Sequence, residues 1–180
     1  MLQKTPPHAP GARETQILAQ FRDAAKTEAG NENAQRMAVL GVLKTILSDG
    51  HAQARDGLES KKLKGAQCAE FISALQDDIL RALATYVAAD VLFLSNPTDA
   101  EKVTVLAVGG YGRGRLAPHS DIDLLFLLPY KRNATSESFV EYILYMLWDA
   151  GLKVGHATRT INDCLTQAQN DFTVRTAMLE

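Results

Sequence analysis

Cysteine, tryptophan and surplus charge are all scarce in this chain. Only two cysteines, Cys68 and Cys164, occur among 180 residues. They lie far apart and form no C-x-x-C pair, so neither a disulfide framework nor a zinc site follows from them. Two reduced thiols on helices are expected, as in a cytoplasmic protein. The formal net charge is −2. So small a balance gives no electrostatic case for a nucleic-acid partner or a membrane surface. No apolar run is long enough to cross a bilayer. Residues 1–11 have no hydrophobic segment behind a basic start, which excludes a secretory signal. With Pro6, Pro7 and Pro10 they read as a disordered leader. Internal repeats and low-complexity tracts are absent as well.

What the chain does have is apolar side chains, 46% of the total. That suffices for one ordinary domain with a helical appendage. Its first half, residues 12–97, carries helical spacing. Ile17, Leu18 and Phe21 mark a helix over Ala12 to Ala29, stopped at Gly30-Asn31. Asn31 or Asn33 caps a second helix with Met37, Leu40, Leu43 and Leu47, and Ser48-Asp49-Gly50 is expected to end it. His51 to Lys64 is charged, and reads as a solvated helix or a mobile connection closed by Gly65. A long helix from about Ala66 to Leu94 then places Phe71, Leu75, Ile79, Leu83, Tyr86 and Val87 at steps of three and four. Asn96-Pro97 ends it.

From residue 98 the period changes. Val103 to Val108 is short, β-branched and apolar, as in a buried strand. Asp121 to Leu128 is a second strand, and its unbroken apolar run places it centrally in a sheet. After a polar loop, Lys131 to Ser138, a helix covers Phe139 to Ala150, with Gly151 at its C′ position. Lys153 to Thr160 is a third strand candidate. Asn162 or Asp163 opens a short helix, and Asp171 opens another that runs to Glu180. The fold class expected is α/β (α+β): N-terminal helices, then a mixed sheet with flanking helices. The helical pattern stops at Glu180 without a capping residue, so the core over 98–180 is expected to be incomplete there.

The chemistry concentrates in Val108-Gly109-Gly110-Tyr111-Gly112-Arg113-Gly114, followed by Ser120-Asp121-Ile122-Asp123. Glycines at 109, 110, 112 and 114 let main-chain N–H groups approach phosphate oxygens. Arg113 and Arg115 can add charge-assisted hydrogen bonds, and Ser120 can bond a phosphate or brace the turn. Residues two apart on a strand point the same way, so Asp121 and Asp123 are expected to share a face and hold Mg²⁺. Two such close carboxylates are costly unless a cation compensates them. The loop is neither a Rossmann fingerprint nor a P-loop, for it lacks the spacing of the first and the Gly-Lys-Ser/Thr of the second.

These residues resemble the nucleotidyltransferase superfamily related to DNA polymerase β, whose pattern is Gly-Gly or Gly-Ser, a gap, then Asp-hydrophobic-Asp. The string from Val108 through Leu116, Pro118 and Ser120-Asp-Ile-Asp-Leu-Leu is similar to the N-terminal domain of bacterial PII uridylyltransferase/uridylyl-removing enzymes. So are Leu147-Trp-Asp-Ala-Gly-Leu-Lys-Val-Gly-His156 with Arg159-Thr160, and Asp171 to Glu180. The resemblance implies a polymerase-β-like fold. It implies transfer of UMP from UTP to a tyrosine of the PII signalling protein, with release of pyrophosphate. Asp121 and Asp123 would hold the Mg²⁺, and Gly109, Gly110 and Ser120 would receive the triphosphate. The family's uridylyl-removing phosphohydrolase and glutamine-sensing ACT domains have no room in 180 residues, so those activities are expected to be missing.

One departure from the superfamily stands out. Its third carboxylate belongs on a later strand, and Lys153 to Arg159 offers none. Asp149, Asp163, Asp171 and Glu180 are the substitutes. An incomplete site that binds nucleotide without turnover, or an adenylyl-transferring relative, are the alternatives. Of the remaining residues, Trp148 is expected in the core, His119 in a solvated loop, and Arg159 in a surface salt bridge. Tyr111 either walls the nucleotide or packs the loop. His156 either touches substrate or closes a strand.

Overall fold

The computed structural model describes residues 10–94 and 98–179. The expected leader, apart from Pro10 and Gly11, the Asn96-Pro97 helix stop and Glu180 lie outside the described residues. Three helices come first: α1 (Ala12–Thr27), α2 (Glu32–Glu59) and α3 (Gly65–Tyr86). Gly30 follows α1 with a φ of +89° and turns the chain, as its lack of a Cβ allows. Asn31 caps α2, its side chain accepting from the Ala34 N–H at 3.1 Å. The three helices pack on one another through Phe21, Leu43, Ile79 and Leu83, none of which is exposed. Burying each such side chain stabilises the fold by roughly 1.5–3 kcal/mol.

Helix α2 does not end at Ser48-Asp49-Gly50; it continues for nine residues more, through the stretch expected as a separate solvated segment. Gly50 is buried, and a Cβ there would overlap Leu75 of α3. The glycine is a contact point between two helices, not a stop. At the other end of α3 the ladder widens into a π-helical turn, Val87–Val91. Arg22 of α1 ties this turn down, its Nε donating to both Asp90 carboxylate oxygens at 3.1 and 3.0 Å.

The sheet has three strands in the order β1 (Thr104–Val108), β2 (Ile122–Leu128), β3 (Val154–Thr160). β1 runs antiparallel to β2, and β3 parallel to it. The expected fold class, helices followed by a mixed sheet with flanking helices, is the one observed. β2 is central, as its continuous apolar run requires. Ile122, Leu124 and Phe126 join the main core with Ile143 and Leu147. β1 differs from expectation. It is an edge strand, half open to solvent, with Leu106 38% exposed.

The one-turn helix α4 (Gly109–Gly112) links β1 to the loop before β2. α5 (Ala134–Asp149) starts five residues earlier than expected, because Asn133 and Ser136 form a reciprocal cap. α6 (Ile161–Asn170) is capped by Thr160, with Asp163 as its reciprocal partner rather than as the cap itself. Asp171 does open α7 (Phe172–Leu179), accepting from the Thr173 and Val174 N–H groups. No helix among the described residues is long and apolar enough to cross a membrane.

Candidate active site

The glycine loop is built onto α3. Tyr111 is 3% exposed, and its hydroxyl donates to Asp77 Oδ1 at 2.6 Å. Burial, and then the hydrogen bond to Asp77, push the phenol far above its ordinary range. Tyr111 therefore packs the loop against α3 and is not among the residues that line the cavity beside Asp123. Five residues on, the Leu116 N–H donates to Ser73 Oγ at 2.8 Å and to the Ala69 carbonyl at 3.3 Å. Arg115 pairs with Glu70 at 3.6 Å, both well exposed. The loop is thus held at both ends by one helix. Gly109 and Gly114, with φ of +62° and +68°, supply the left-handed backbone the turn needs.

Asp123 lies at the centre of the site. It stands in β2 opposite Val108 of β1 and Gly155 of β3. A Cβ added at Gly109 would come within 3.0 Å of its Oδ2, and one at Gly155 would overlap its Oδ1. The carboxylate therefore occupies a slot that exists because both flanking residues lack side chains. It opens into a cavity of about 320 Å³ whose wall includes Gly109, Gly155, Arg159, Val174 and Met178. Among the described residues, neither the Asp121 nor the Asp123 carboxylate makes a hydrogen bond or ion pair.

The expected site residues are only partly gathered. Gly109 and Asp123 share the cavity. Arg113 stands beside Gly110, where an added Cβ would be 3.7 Å from its Nη2. Asp121 is exposed, immediately before β2. Ser120 is exposed too, and lines a separate cleft. Its direction follows from His119, whose left-handed φ of +64° turns the chain there.

Arg159 was expected in a surface salt bridge. It makes none among the described residues and lines the Asp123 cavity instead. The signal for this was in the register: Arg159 is four residues beyond Gly155 on β3, and so on the same face. Trp148 is not a core residue. It is 41% exposed, and its ring meets Tyr145 and His156 edge-on at 5.8 and 5.7 Å. His156 is an exposed member of that row.

Of the substitutes for a third carboxylate, the three among the described residues are occupied. Asp149 is paired with Arg36. Asp163 accepts from the Thr160 N–H and hydroxyl, and those bonds hold its carboxyl below the usual range. Asp171 caps α7. No group of three or more His, Cys, Asp or Glu that could hold a metal ion occurs among the described residues.

The chain is 48% identical over 164 residues to a bifunctional uridylyltransferase/uridylyl-removing enzyme of Phenylobacterium zucineum, covering 91% of this chain and 17% of the relative. The enzyme of the same name from Rhodospirillum rubrum is 51% identical over 160 residues, 89% of this chain and 17% of the relative. That of Rhodopseudomonas palustris is 44% identical over 181 residues, 97% and 19% respectively. The chain thus spans less than a fifth of the length of these relatives. No solved structure matches it. The nucleotidyltransferase domain family matches residues 90–179, which takes in β1, the glycine loop, both aspartates and all of β3. The chain belongs to the nucleotidyltransferase domain family, and within it is similar to the uridylyltransferases.

Proposed function

We propose that this chain is the nucleotidyl-transferring part of a uridylyltransferase. It moves UMP from UTP to a tyrosine hydroxyl of a PII-type signalling protein in the cytoplasm, and pyrophosphate leaves. The observation that carries this reading is the Asp123 carboxylate, held between Gly109 and Gly155 at the end of the glycine loop. Its support in sequence is the 44–51% identity to uridylyltransferases.

The donor set fits Mg²⁺. Asp121 and Asp123 offer hard carboxylate oxygens with no protein partner among the described residues, and Mg²⁺ favours one or two carboxylates shared with phosphate and water. When bound, the metal neutralises charge on the transferring phosphoryl group. The chain's own residues do the rest. Gly109 and Gly110 admit the triphosphate close to the main chain, and Arg113 and Arg159 supply positive charge. The tyrosine oxygen then forms a bond to the α-phosphorus, its proton passing to solvent, as the bond from that phosphorus to the pyrophosphate oxygen breaks, in line. Positioning and charge compensation account for such a step.

Asp123→Ala is expected to lower transfer by about 10³-fold or more, since it removes the carboxylate that would hold the metal in this cavity. Thermal unfolding is expected to change little, because the Asp123 carboxylate makes no hydrogen bond or ion pair among the described residues. Wild-type rates of UMP transfer to purified PII protein in that variant would defeat the assignment. A second reading is favoured by one feature: among the described residues lining the Asp123 cavity there is no second acidic side chain. Under it, the chain binds nucleotide without turning it over. Calorimetry with UTP and Mg²⁺ beside a pyrophosphate-release assay separates the two.

A further inference from the structure

A second cleft, of about 490 Å³, lies beside the segment that leads into β2. Ile122 lines it, whereas Asp123 lines the other cavity, so strand alternation separates the two. Four elements build its polar wall: Lys44 and His51 from α2, Gln76 from α3, His119 and Ser120 from the turn before β2, and Lys153 just before β3. Every ionisable side chain on this wall is a base, and no carboxylate lines it among the described residues. That is a pronounced local asymmetry in a chain whose net charge is −2.

Three features of the cleft cost stability without a ligand. Gln76 is 3% exposed, and its Nε2 has no hydrogen-bond partner among the described residues. An unpaired buried donor costs about 1–3 kcal/mol. His119 holds a left-handed φ of +64°, unfavourable for a side chain with a Cβ. Its ring stands edge-on to that of His51, with centroids 6.2 Å apart. Burial, then the neighbouring His119, push the His51 imidazole below its ordinary pKa. Two bases are thus crowded together with no acid to balance them. A cation is disfavoured there by Lys44 and Lys153. An anion answers the first and the last of these, accepting hydrogen bonds from the amide and the imidazoles while it neutralises the lysines.

We infer that this cleft binds a compact phosphate-bearing anion, separately from the Asp123 cavity. The rest of its wall is largely aliphatic, and the cleft is larger than one phosphate group needs. A phosphate monoester with a small organic body and inorganic pyrophosphate share the required chemistry.

The test is calorimetric titration of the 180-residue chain, in buffer with EDTA, using inorganic pyrophosphate in one series and uridine 5′-monophosphate in the other. The expected result is saturable binding that survives Asp123→Asn and weakens at least about tenfold in the double variant Lys44→Gln/Lys153→Gln. Tighter binding of pyrophosphate assigns the inorganic ligand, and the reverse assigns the organic monoester. Absence of saturable binding by either probe overturns the inference. So does affinity unchanged in the double variant, or binding lost in Asp123→Asn alone, which would place the anion in the other cavity. His119→Gly gives a second readout, because it relieves the backbone and removes a donor. It is expected to raise the melting temperature while weakening the anion, and an unchanged affinity counts against the site. Because the Asp123→Asn arm separates the cavities, failure here leaves the uridylyltransferase reading standing.

Discussion

Two glycines keep open the space that the Asp123 carboxylate fills, and they do so differently. Gly109 adopts a left-handed φ of +62°, so any side chain there meets backbone strain as well as Asp123. Gly155 sits in a strand, and alanine there needs only the space now taken by Asp123 Oδ1. Gly155→Ala is therefore expected to fold normally while the carboxylate is pushed aside. A displacement of that order costs about 10²-fold in rate. Measured kcat/KM for UMP transfer should fall accordingly, with the melting temperature held; an unchanged kcat/KM would deny Gly155 its positioning role. His51 supports a prediction of another kind. Burial and then His119 depress its pKa below 6.5, so between that depressed value and 6.5 the unfolded chain binds more protons than the folded one. Folding stability is thus intact above 6.5 and declines as the pH falls through the depressed pKa. Urea midpoints measured from pH 7.5 down to pH 5 should show this decline in wild type and a shallower one in His51→Asn, about neutral pH being the reference. Parallel slopes would sink the claim.

At the scale of elements, the contact between α2 and α3 is set by Gly50 against Leu75. Alanine in a helix interior is ordinarily better than glycine by about 1 kcal/mol. Here its methyl would overlap Leu75, a side chain only 5% exposed and with little room to turn. Overpacking costs about 1–3 kcal/mol, so Gly50→Ala should be destabilising on balance, with a lower urea midpoint. A higher midpoint would mean that Leu75 re-packs freely. The same residue explains why α2 was misread. A Ser-Asp-Gly triplet is a reasonable local stop, and only the partner helix, 25 positions later in sequence, shows that the glycine is there for close approach. Elements whose signals are local were legible: the Asn31 cap, the Gly30 turn, the central position of β2 and the start of α7 at Asp171. Elements decided by tertiary partners were not. β1 looks buried by composition, yet among the described residues no strand pairs with its outer edge. Ser120 looks like a companion of Gly109, yet the left-handed His119 between them turns it to another cleft. The motif itself, glycines then Asp-Ile-Asp, was fully readable, since it is contiguous in sequence. Its anchorage and the Arg159 contribution needed the fold.

For the molecule as a whole, the question is why a nucleotidyltransferase core should carry three helices in front of it. The bonds from α3 to the glycine loop answer it. Asp77 holds Tyr111, Ser73 holds the Leu116 main chain, and Glu70 faces Arg115, so one face of one helix fixes the loop along its length. Helix α3 is in turn buried against α1 and α2, and its far end is clamped to α1 through Arg22 and Asp90. Disturbance in the helical layer should therefore reach the glycine turn without any contact to substrate. Tyr111→Phe isolates that route, because it keeps the ring's packing and deletes only the hydroxyl. Asp77 retains Arg81 at 3.7 Å, so no bare charge is left behind. The expected loss of stability is about 1 kcal/mol. Amide exchange should quicken over residues 109–116 while the interior of α3 stays protected, because the loop loses one anchor and the helix loses none of its ladder. UTP binding should weaken along with it. If exchange in the loop were unaltered while exchange in α1 and α2 rose, the hydroxyl would be serving the helical layer, and the helices would not be holding the turn in place.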